Sequence, residues 1–410
     1  MSVRLQDQPW LTSAATRAVF AALETAGGPD CARFVGGSVR NALLGQAVAD
    51  FDIATTLEPE AAFAAIQTAG LKAVPTGLAH GTVTAVSGHQ PYEITTLRRD
   101  VTTDGRKATV AFTDDWSEDA ARRDFRLNAL YADLTGRIYD PTGQGIEDAL
   151  AGRVIFVGDP VTRIREDYLR ILRFFRFYAW YGRDAPDAAA MTACTAEVDG
   201  LARLSAERVS TELMKLLNAP DPRRAVQAMA ATGVLAQLLP EAVAGIAFQR
   251  LCELTTDPVL RLAGLMPVDA DGLRALARRL RLSNAVRDRL VAGAEAATAV
   301  RPDMDDRTAR AAVYRLGARA VEDALIRQRA AMNSDPADDD RLTTLISGWT
   351  PPSLPVGGRD LARLGLAPGP DTGRLLKAFE AGWIADDFPV AGHEARLRAL
   401  LDPTVSPPPG

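Results

Sequence analysis

Histidine and cysteine are scarce in this sequence, and a long apolar run is missing. Three histidines and three cysteines occur among the 410 residues. Cys31, Cys194 and Cys252 are far apart, which fits neither a disulfide framework nor zinc-site spacing, so we expect buried free thiols. No stretch reaches the length of a membrane span, and the first residues, MSVRLQDQPW, contain no signal-peptide core. These absences predict a cytoplasmic protein.

An excess of positive charge is also missing. The formal net charge is −5, so any RNA-binding surface must be a local basic face on an acidic body. The length of 410 residues, with 47% hydrophobic residues, is sufficient for two to four domains with sizeable cores.

The most informative stretch, residues 34–55, reads FVGGSVRNALLGQAVADFDIAT. An apolar pair enters Gly36-Gly37, and Ser38 begins a short helical pattern that contains Arg40. Glycines let the backbone approach a ligand closely, and a helix N-terminus favours phosphate, to which Arg40 would add a guanidinium. The pattern predicts a phosphate-binding turn, although a double glycine by itself is common in ordinary turns.

Two carboxylates follow within the same segment. Asp50 and Asp52 flank Phe51 at the start of an apparent strand to Thr56, where residues two apart share one face. Side-by-side carboxylates repel each other unless a cation lies between them, so this pair is a candidate Mg²⁺ site. An isolated Asp-x-Asp pair is usually a solvated strand end, but its position after a phosphate-binding turn favours metal-assisted nucleotidyl transfer. Glu93, in a later strand, is either a third carboxylate of this site or a solvent-facing residue.

These residues resemble the first motif of the class II nucleotidyltransferases, which include CCA-adding tRNA nucleotidyltransferases and bacterial poly(A) polymerases. The family pattern GG-x-VRD followed by D-x-D reads GGSVRN and DFD here, with Asn41 in place of Asp. The resemblance implies two Mg²⁺ ions on Asp50 and Asp52 as catalytic ligands, with Gly36, Gly37, Ser38 and Arg40 around the nucleotide.

A second segment, SEDAARRDFRLNALYAD, resembles the family motif RRDFTINAL. We expect a helix from Ser117 with Arg123 and Asp124 near its middle. The resemblance implies that Arg123 contacts the triphosphate, that Asp124 binds the ribose hydroxyls, and that Asn128 belongs to the nucleotide site. Arg126 replaces the family's Thr, and a plain charged helix face remains the alternative.

A third segment, RIREDYLRILRFFRFYAWYG, places four charged residues at intervals of three: Asp167, Arg170, Arg173 and Arg176. A face of ion pairs would explain them. Alternatively, an Asp acceptor and an Arg donor would complement the amine and ring nitrogen that cytosine and adenine share, and would reject uracil and guanine. The segment resembles the family's ED-x-x-R-x-x-R motif, which implies that Asp167 and Arg170 read the base while Arg173 and Arg176 support the nucleotide.

The order of elements predicts an α+β fold: a small nucleotidyltransferase palm, a mixed sheet with flanking helices, followed by an all-α neck, body and tail. The expected divisions are residues 1–150 (palm), 151–220 (neck with the base-reading helix), 221–350 (helical body) and 351–410 (tail). Residues 98–115 look like a loop around Asp104-Gly105-Arg106, His80 like a turn residue, and the acidic run near Asp338 like a turn. We expect PTVSPPPG to be disordered.

The resemblance covers nearly the whole chain and implies template-independent addition of C, C and A to the tRNA 3′ end from CTP and ATP. The expected partners are tRNA, through its 3′ end and acceptor arm, and the two nucleotides, with the protein acting as a monomer. The alternatives are a poly(A) polymerase of the same family and a non-catalytic RNA-binding relative.

Overall fold

A computed structural model describes residues 3–78, 81–104, 107–332 and 336–401. The chain divides into two compact units, Met1–Ala242 and Val243–Gly410. The finer four-part division stays a prediction. Ala79, His80, Gly105, Arg106 and the final PTVSPPPG lie outside the described residues, so the expectations made for them are not addressed by the structure.

The first unit is built on a mixed sheet of seven strands. The strands of this unit, in chain order, are β1 (Ala32–Val35), β2 (Asp52–Thr55), β3 (Lys72–Gly77), β4 (Thr82–Ser87), β5 (Gln90–Thr96), β6 (Arg98–Asp104), β7 (Lys107–Phe112), β8 (Tyr131–Ala132) and β9 (Ile138–Tyr139). The large sheet has the order β3-β4-β5-β2-β1-β8-β9, and β2 and β5 are its parallel pair. The predicted α+β palm, a mixed sheet with flanking helices, is confirmed.

The helices of the first unit flank this sheet and continue beyond it. They are α1 (Ala14–Gly27), α2 (Gly37–Leu43), α3 (Pro59–Thr68), α4 (Trp116–Ala121), α5 (Gly145–Ala151), α6 (Pro160–Glu166), α7 (Leu169–Tyr181), α8 (Ala188–Ala196), α9 (Ala206–Leu217), α10 (Arg223–Ala231) and α11 (Val234–Leu238). Helix α1 buries its apolar face on the sheet, where Phe20 and Phe34 lie with ring centroids 4.8 Å apart. It begins at Ala14, where the Ser13 hydroxyl caps the helix by accepting from the Thr16 N–H at 3.1 Å, and the preceding Pro9–Thr12 forms a 3-10 turn.

The prediction of a plain loop at residues 98–115 was wrong. Strands β6 and β7 pair in an antiparallel hairpin separate from the main sheet. The segment is polar, which obscured the strand signal, but it is rich in threonine and valine, whose branched side chains favour extended backbone.

The predicted helix through Arg123 and Asp124 was also wrong. Helix α4 begins at Trp116, capped by Asp115, and ends at Ala121. The chain then turns extended at Phe125, which forms an isolated bridge with Phe156 and packs against it with centroids 4.8 Å apart. Burial of this aromatic pair therefore overrides the helical propensity of the charged residues before it.

The second unit is helical in its described part. Its helices are α12 (Ile246–Leu254), α13 (Pro258–Leu265), α14 (Ala270–Arg279), α15 (Asn284–Ala296), α16 (Asp306–Leu316), α17 (Ala318–Ala331), α18 (Pro336–Gly348), α19 (Gly358–Arg363), α20 (Pro370–Ala385) and α21 (His393–Leu401). The acidic run predicted as a turn near Asp338 instead starts α18, where negative charge is favourable near the helix N-terminus. All helices in the described parts of the chain are too short or too polar to cross a membrane. Cys31, Cys194 and Cys252 are buried free thiols, as predicted.

Candidate active site

The double glycine forms a tight turn between β1 and α2. Gly36 has φ 69°, a conformation that favours glycine, and its N–H donates to the Leu130 carbonyl at 3.1 Å. Helix α2 begins at Gly37, one residue before the predicted Ser38. The Ser38 hydroxyl is buried and donates to the Val35 carbonyl at 3.2 Å. Ser38 thus fixes the turn from within, while Gly36 and Gly37 face the open space described below.

Arg40 of α2 is buried beneath this turn, with 7% of its surface exposed. Its guanidinium donates to the Tyr181 hydroxyl at 2.8 Å, to the Asn41 side-chain oxygen at 3.0 Å and to the Asn128 side-chain oxygen. It also lies over the Tyr181 ring, 4.3 Å from the centroid. Burial lowers the pKa of Arg40 below its usual value, although the neighbouring Tyr181 and Asp124 act in the opposite direction. Tyr181 was not predicted to be a site residue.

Asp52 begins β2 and lies directly opposite Glu93 of β5 in the parallel register. Asp50 is exposed and precedes the strand, and its predicted pairing with Asp52 stays a prediction. The pKa of Asp52 is nevertheless raised to about 6, first by burial and then by Glu93 and Asp50, against the lowering effect of Arg123. Glu93 is itself exposed but acts electrostatically on Asp52, so both alternatives for Glu93, a third carboxylate of the site or a solvent-facing residue, stay open.

The carboxylates near Asp52 fit a divalent cation on chemical grounds. A half-buried carboxylate with two further carboxylates acting on it is destabilised as an anion, and an oxygen-binding cation would relieve that repulsion. Within the described residues, however, no group of three or more His, Cys, Asp or Glu side chains already converges on one point as a metal site.

Arg123 is held by a buried carboxylate that the sequence reasoning missed. Asp119 of α4 accepts from Arg123 at 2.8 Å, from Arg122 at 2.7 Å and from the Tyr131 hydroxyl at 2.7 Å. Burial opposes ionisation of Asp119, but Arg123 and Arg122 outweigh it and lower its pKa to about 2. The i, i+4 spacing of Asp119 and Arg123 was the available sequence signal.

Asp124 has no acceptor position left for a ligand, because all four of its acceptor positions are occupied by protein donors. One oxygen accepts from the Phe125 N–H at 2.9 Å and the Asn128 amide at 3.0 Å. The other accepts two N–H groups of Arg173 at 2.7 and 2.5 Å. Burial raises its pKa, but Arg173 more than compensates and lowers it to about 2. Any ribose hydroxyl that donates to Asp124 must displace one of these partners.

Arg173 and Arg176 project from α7 toward Glu212 of α9. Arg176 lies 3.0 Å from Glu212, and Arg173 lies 4.0 Å from it. Glu212 is 5% exposed and was not predicted to be a site residue. Both arginines therefore form ion pairs, but their partners, Asp124 and Glu212, lie outside α7 and not along the same helix face.

Asp167 and Arg170 lie at the junction of α6 and α7. Asp167 does not belong to α7, as the three-residue spacing had predicted, because it has extended backbone between α6 and α7. Its oxygens accept from the Leu169 N–H at 3.1 Å and from Arg208 at 2.6 Å. Arg170 forms an ion pair with Glu166. Within the described residues each Asp167 oxygen accepts from one N–H group, so reading a base amine remains chemically open to Asp167.

The glycine turn, α7 and α9 enclose a cleft of about 430 Å³. Its lining residues are Gly36, Gly37, Arg40, Asp52, Arg123, Asp124, Asn128, Arg173, Arg176, Phe177, Trp180, Tyr181, Lys215 and Asn218. Eight of the predicted site residues other than Asp52 are therefore brought together with it, whereas Ser38, Asp50, Asp167 and Arg170 are not in the lining. Five cationic side chains against two carboxylates give the lining of the cleft a net positive charge within an acidic protein.

Comparison with known proteins agrees with this geometry. A family model described as "Poly A polymerase head domain" matches residues 32–155, and "Probable RNA and SrmB- binding site of polymerase A" matches residues 186–245. The protein is 34% identical over 381 residues to "CCA tRNA nucleotidyltransferase 1, mitochondrial" of Danio rerio, covering 88% of this chain and 85% of the relative. The relative of the same name from Homo sapiens is 32% identical over 378 residues, covering 86% and 82%.

A solved structure supports the same assignment. "Crystal structure of Bacillus stearothermophilus CCA-adding enzyme in complex with CTP" superimposes with a TM-score of 0.75 at 27% identity, covering 94% of this chain and 98% of the other. Because the similarity extends over most of both chains in sequence and in structure, the protein belongs to the family of CCA tRNA nucleotidyltransferases.

Proposed function

We propose that the protein adds C, C and A to the 3′ end of tRNA, using CTP and ATP and releasing pyrophosphate. The observation that carries this proposal is the cleft in which the glycine turn, four arginines and the half-buried Asp52 face one space. A nucleoside triphosphate carries the charge that these cations complement, and the relatives named above are CCA tRNA nucleotidyltransferases.

Asp52 and Asp50, with Glu93 as a third candidate, would hold the divalent metal that this nucleotidyltransferase family uses, and Mg²⁺ is the proposed ion. Bound there, Mg²⁺ would supply a lowered pKa for the RNA 3′-hydroxyl and charge neutralisation for the pyrophosphate. The proposal is supported by the pKa of about 6 for Asp52, since a group that resists ionisation when alone gains most from a cation.

The arginines bind and orient the triphosphate. Arg123 is held in place by Asp119, and Arg173 by Asp124, so both guanidiniums are fixed before the nucleotide arrives. A fixed donor loses little conformational entropy on binding, and the contribution of the protein is therefore mainly positioning and electrostatic stabilisation. Tyr181 and Phe177 form the aromatic wall beside these charges.

Base choice is assigned to Asp167 and Arg170, as their match to the family motif implies. Asp167 would accept the exocyclic amine of cytosine or adenine, and Arg170 would donate to the adjacent ring nitrogen. In the present arrangement Arg170 pairs with Glu166, so reading a base requires that guanidinium to release or share its partner. Asp124, with its four acceptor positions filled, would select ribose only by exchanging an Arg173 bond for the sugar hydroxyl.

The test is nucleotide incorporation into a tRNA that lacks its CCA end. Purified protein, labelled CTP or ATP and Mg²⁺ should extend this tRNA by three residues and then stop, with the A added only after both Cs. An unstructured RNA of equal length is the matched substrate control. Long A tracts without use of CTP would identify a poly(A) polymerase, and absence of any incorporation would identify a non-catalytic relative.

The remaining assignments follow from the same proposal. We assign the protein to the cytoplasm as a monomer, although the relatives from Danio rerio and Homo sapiens are named mitochondrial. Its partners would be the 3′ end and acceptor arm of tRNA. Sedimentation of the pure protein with and without tRNA would measure both the subunit number and the complex.

A further inference from the structure

Arg40 differs from the other cleft arginines in the chemistry of its partners. Arg123, Arg173 and Arg176 each lie within 3.0 Å of a buried carboxylate oxygen. Arg40 is as deeply buried, but in the described part of the chain its hydrogen bonds go to the neutral side chains of Asn41, Asn128 and Tyr181. Among the described residues it therefore has no direct carboxylate partner, and Asp124 acts on its charge without a hydrogen bond.

Asn41 is held with its oxygen toward this charge. Its amide nitrogen donates to the Ala47 carbonyl at 3.2 Å, which fixes the orientation of the amide. Its oxygen accepts from two nitrogens of Arg40, at 3.2 and 3.0 Å, and from the Tyr181 hydroxyl at 3.1 Å. An aspartate here would present a full negative charge to the same guanidinium and would have no N–H for Ala47.

Tyr181 completes the arrangement from the opposite side of the cleft. Its hydroxyl joins Arg40 to Asn41, and its ring lies against the guanidinium at 4.3 Å. Arg40 is thereby oriented by three neutral groups on α2, α7 and the 3-10 turn Arg126–Asn128. The Arg40 guanidinium is therefore positioned without a direct carboxylate partner in the part of the chain that the structure describes. It lies close to the glycine turn, because a Cβ added at Gly37 would be 3.7 Å from the Arg40 Nη2.

We propose that Asn41 is a positioning and affinity-determining residue: together with Tyr181 it holds Arg40 through neutral acceptors and so leaves the full charge of Arg40 for the polyphosphate of the substrate and for the pyrophosphate product. This inference rests on the proposed nucleotidyl transfer. Because charge-assisted bonds to phosphate weaken when a carboxylate shares the same guanidinium, the amide at position 41 strengthens polyphosphate binding relative to a carboxylate there.

The test is calorimetric binding of CTP, CMP and sodium pyrophosphate to wild type and to Asn41→Asp. The exchange is nearly isosteric, and the family motif carries Asp at this position. We expect pyrophosphate and CTP to bind roughly tenfold more weakly, about 1.4 kcal/mol, to Asn41→Asp, and CMP to change by less than about threefold. The matched neutral variant Asn41→Ala removes an acceptor of Arg40 but adds no charge, so it should weaken pyrophosphate binding by about threefold, less than Asn41→Asp does.

Stability distinguishes this effect from damage to the fold. Asn41→Asp gives Arg40 a counter-charge, so its urea midpoint should equal or exceed that of wild type while its pyrophosphate affinity falls. Equal losses in Asn41→Asp and Asn41→Ala, or unchanged pyrophosphate affinity in Asn41→Asp, would overturn the proposal. Tyr181→Phe is a second variant that adds no charge. Loss of the hydroxyl should weaken pyrophosphate binding by about threefold, and wild-type affinity would refute the positioning of Arg40 by its neutral partners.

The outcome is separable from that of the proposed function. Pyrophosphate binding without added divalent cation does not depend on which nucleotides are incorporated. Wild-type protein that binds pyrophosphate but fails to complete tRNA would refute CCA addition and leave the role of Asn41 standing. Wild-type protein that completes tRNA, with an Asn41→Asp variant of equal pyrophosphate affinity, would refute the role of Asn41 alone.

Discussion

Asp52→Asn should make the metal-free protein more stable at neutral pH while abolishing nucleotide addition. The pKa of Asp52 is raised from 3.8 to about 6, so its ionised form is disfavoured in the folded state by about 3 kcal/mol. Because the folded protein holds this proton more tightly than the unfolded chain, wild-type stability should fall as pH rises from about 4 to about 6 and then stay level. Asparagine removes that loss.

The assay is urea unfolding between pH 4 and pH 8 in the presence of a chelator, followed by the same series with Mg²⁺. Asp52→Asn should be up to about 3 kcal/mol more stable than wild type above pH 6 and should lack the decline between pH 4 and pH 6. Mg²⁺ should stabilise wild type but not the variant. Asp114→Asn, an exposed carboxylate outside the cleft lining, is the control and should behave as wild type. A destabilised Asp52→Asn variant, or an unchanged pH profile, would refute the reasoning.

Three further changes probe separate parts of the first unit. Asp119→Asn leaves Arg122 and Arg123 without their buried counter-charge, so the free energy of unfolding should fall by about 3–5 kcal/mol in urea titrations. Wild-type stability would show that these ion pairs are dispensable. Asp167→Ala should raise UTP incorporation relative to CTP in single-nucleotide extension, and unchanged selectivity would reduce Asp167 to an ion-pair partner. Gly145→Ala places a Cβ 2.5 Å from a backbone oxygen and should cost about 1–3 kcal/mol, whereas Gly373→Ala, in open space, should cost little.

The sequence was most informative where one local pattern coincided with one element. The glycine turn, the strands of the palm and the helix carrying Arg173 were predictable because each depends on residues close in sequence. The boundaries that failed depend on distant contacts. The short α4 ends because Phe125 packs on Phe156, and no pattern within the RRDF motif reveals that partner.

The same distinction explains the site. Arg123 and Arg176 were predicted from motif resemblance, but the carboxylates that hold them were not. Asp119 lies close in sequence and was overlooked, whereas Glu212 lies on another helix and could be found only from the fold. Conversely, the spacing alone placed Asp167 on the arginine helix. In the structure Asp167 has extended backbone between α6 and α7, and its side chain accepts from the Leu169 N–H at the start of α7.

The pairing of charges in the cleft separates what the protein satisfies by itself from what it leaves for a ligand. Arg123, Arg173 and Arg176 have buried carboxylate partners, so their geometry is fixed without substrate. Asp52 and Arg40 are the exceptions: one is a carboxylate whose ionisation is opposed by burial and by its neighbours, and the other is a buried guanidinium with neutral partners. Each is costly in the free protein and would be compensated by an ion of opposite sign, a cation at Asp52 and a polyphosphate at Arg40. Within the described residues, the charged side chains that lack an oppositely charged partner thus mark the positions where the cation and the polyphosphate of nucleotidyl transfer would bind.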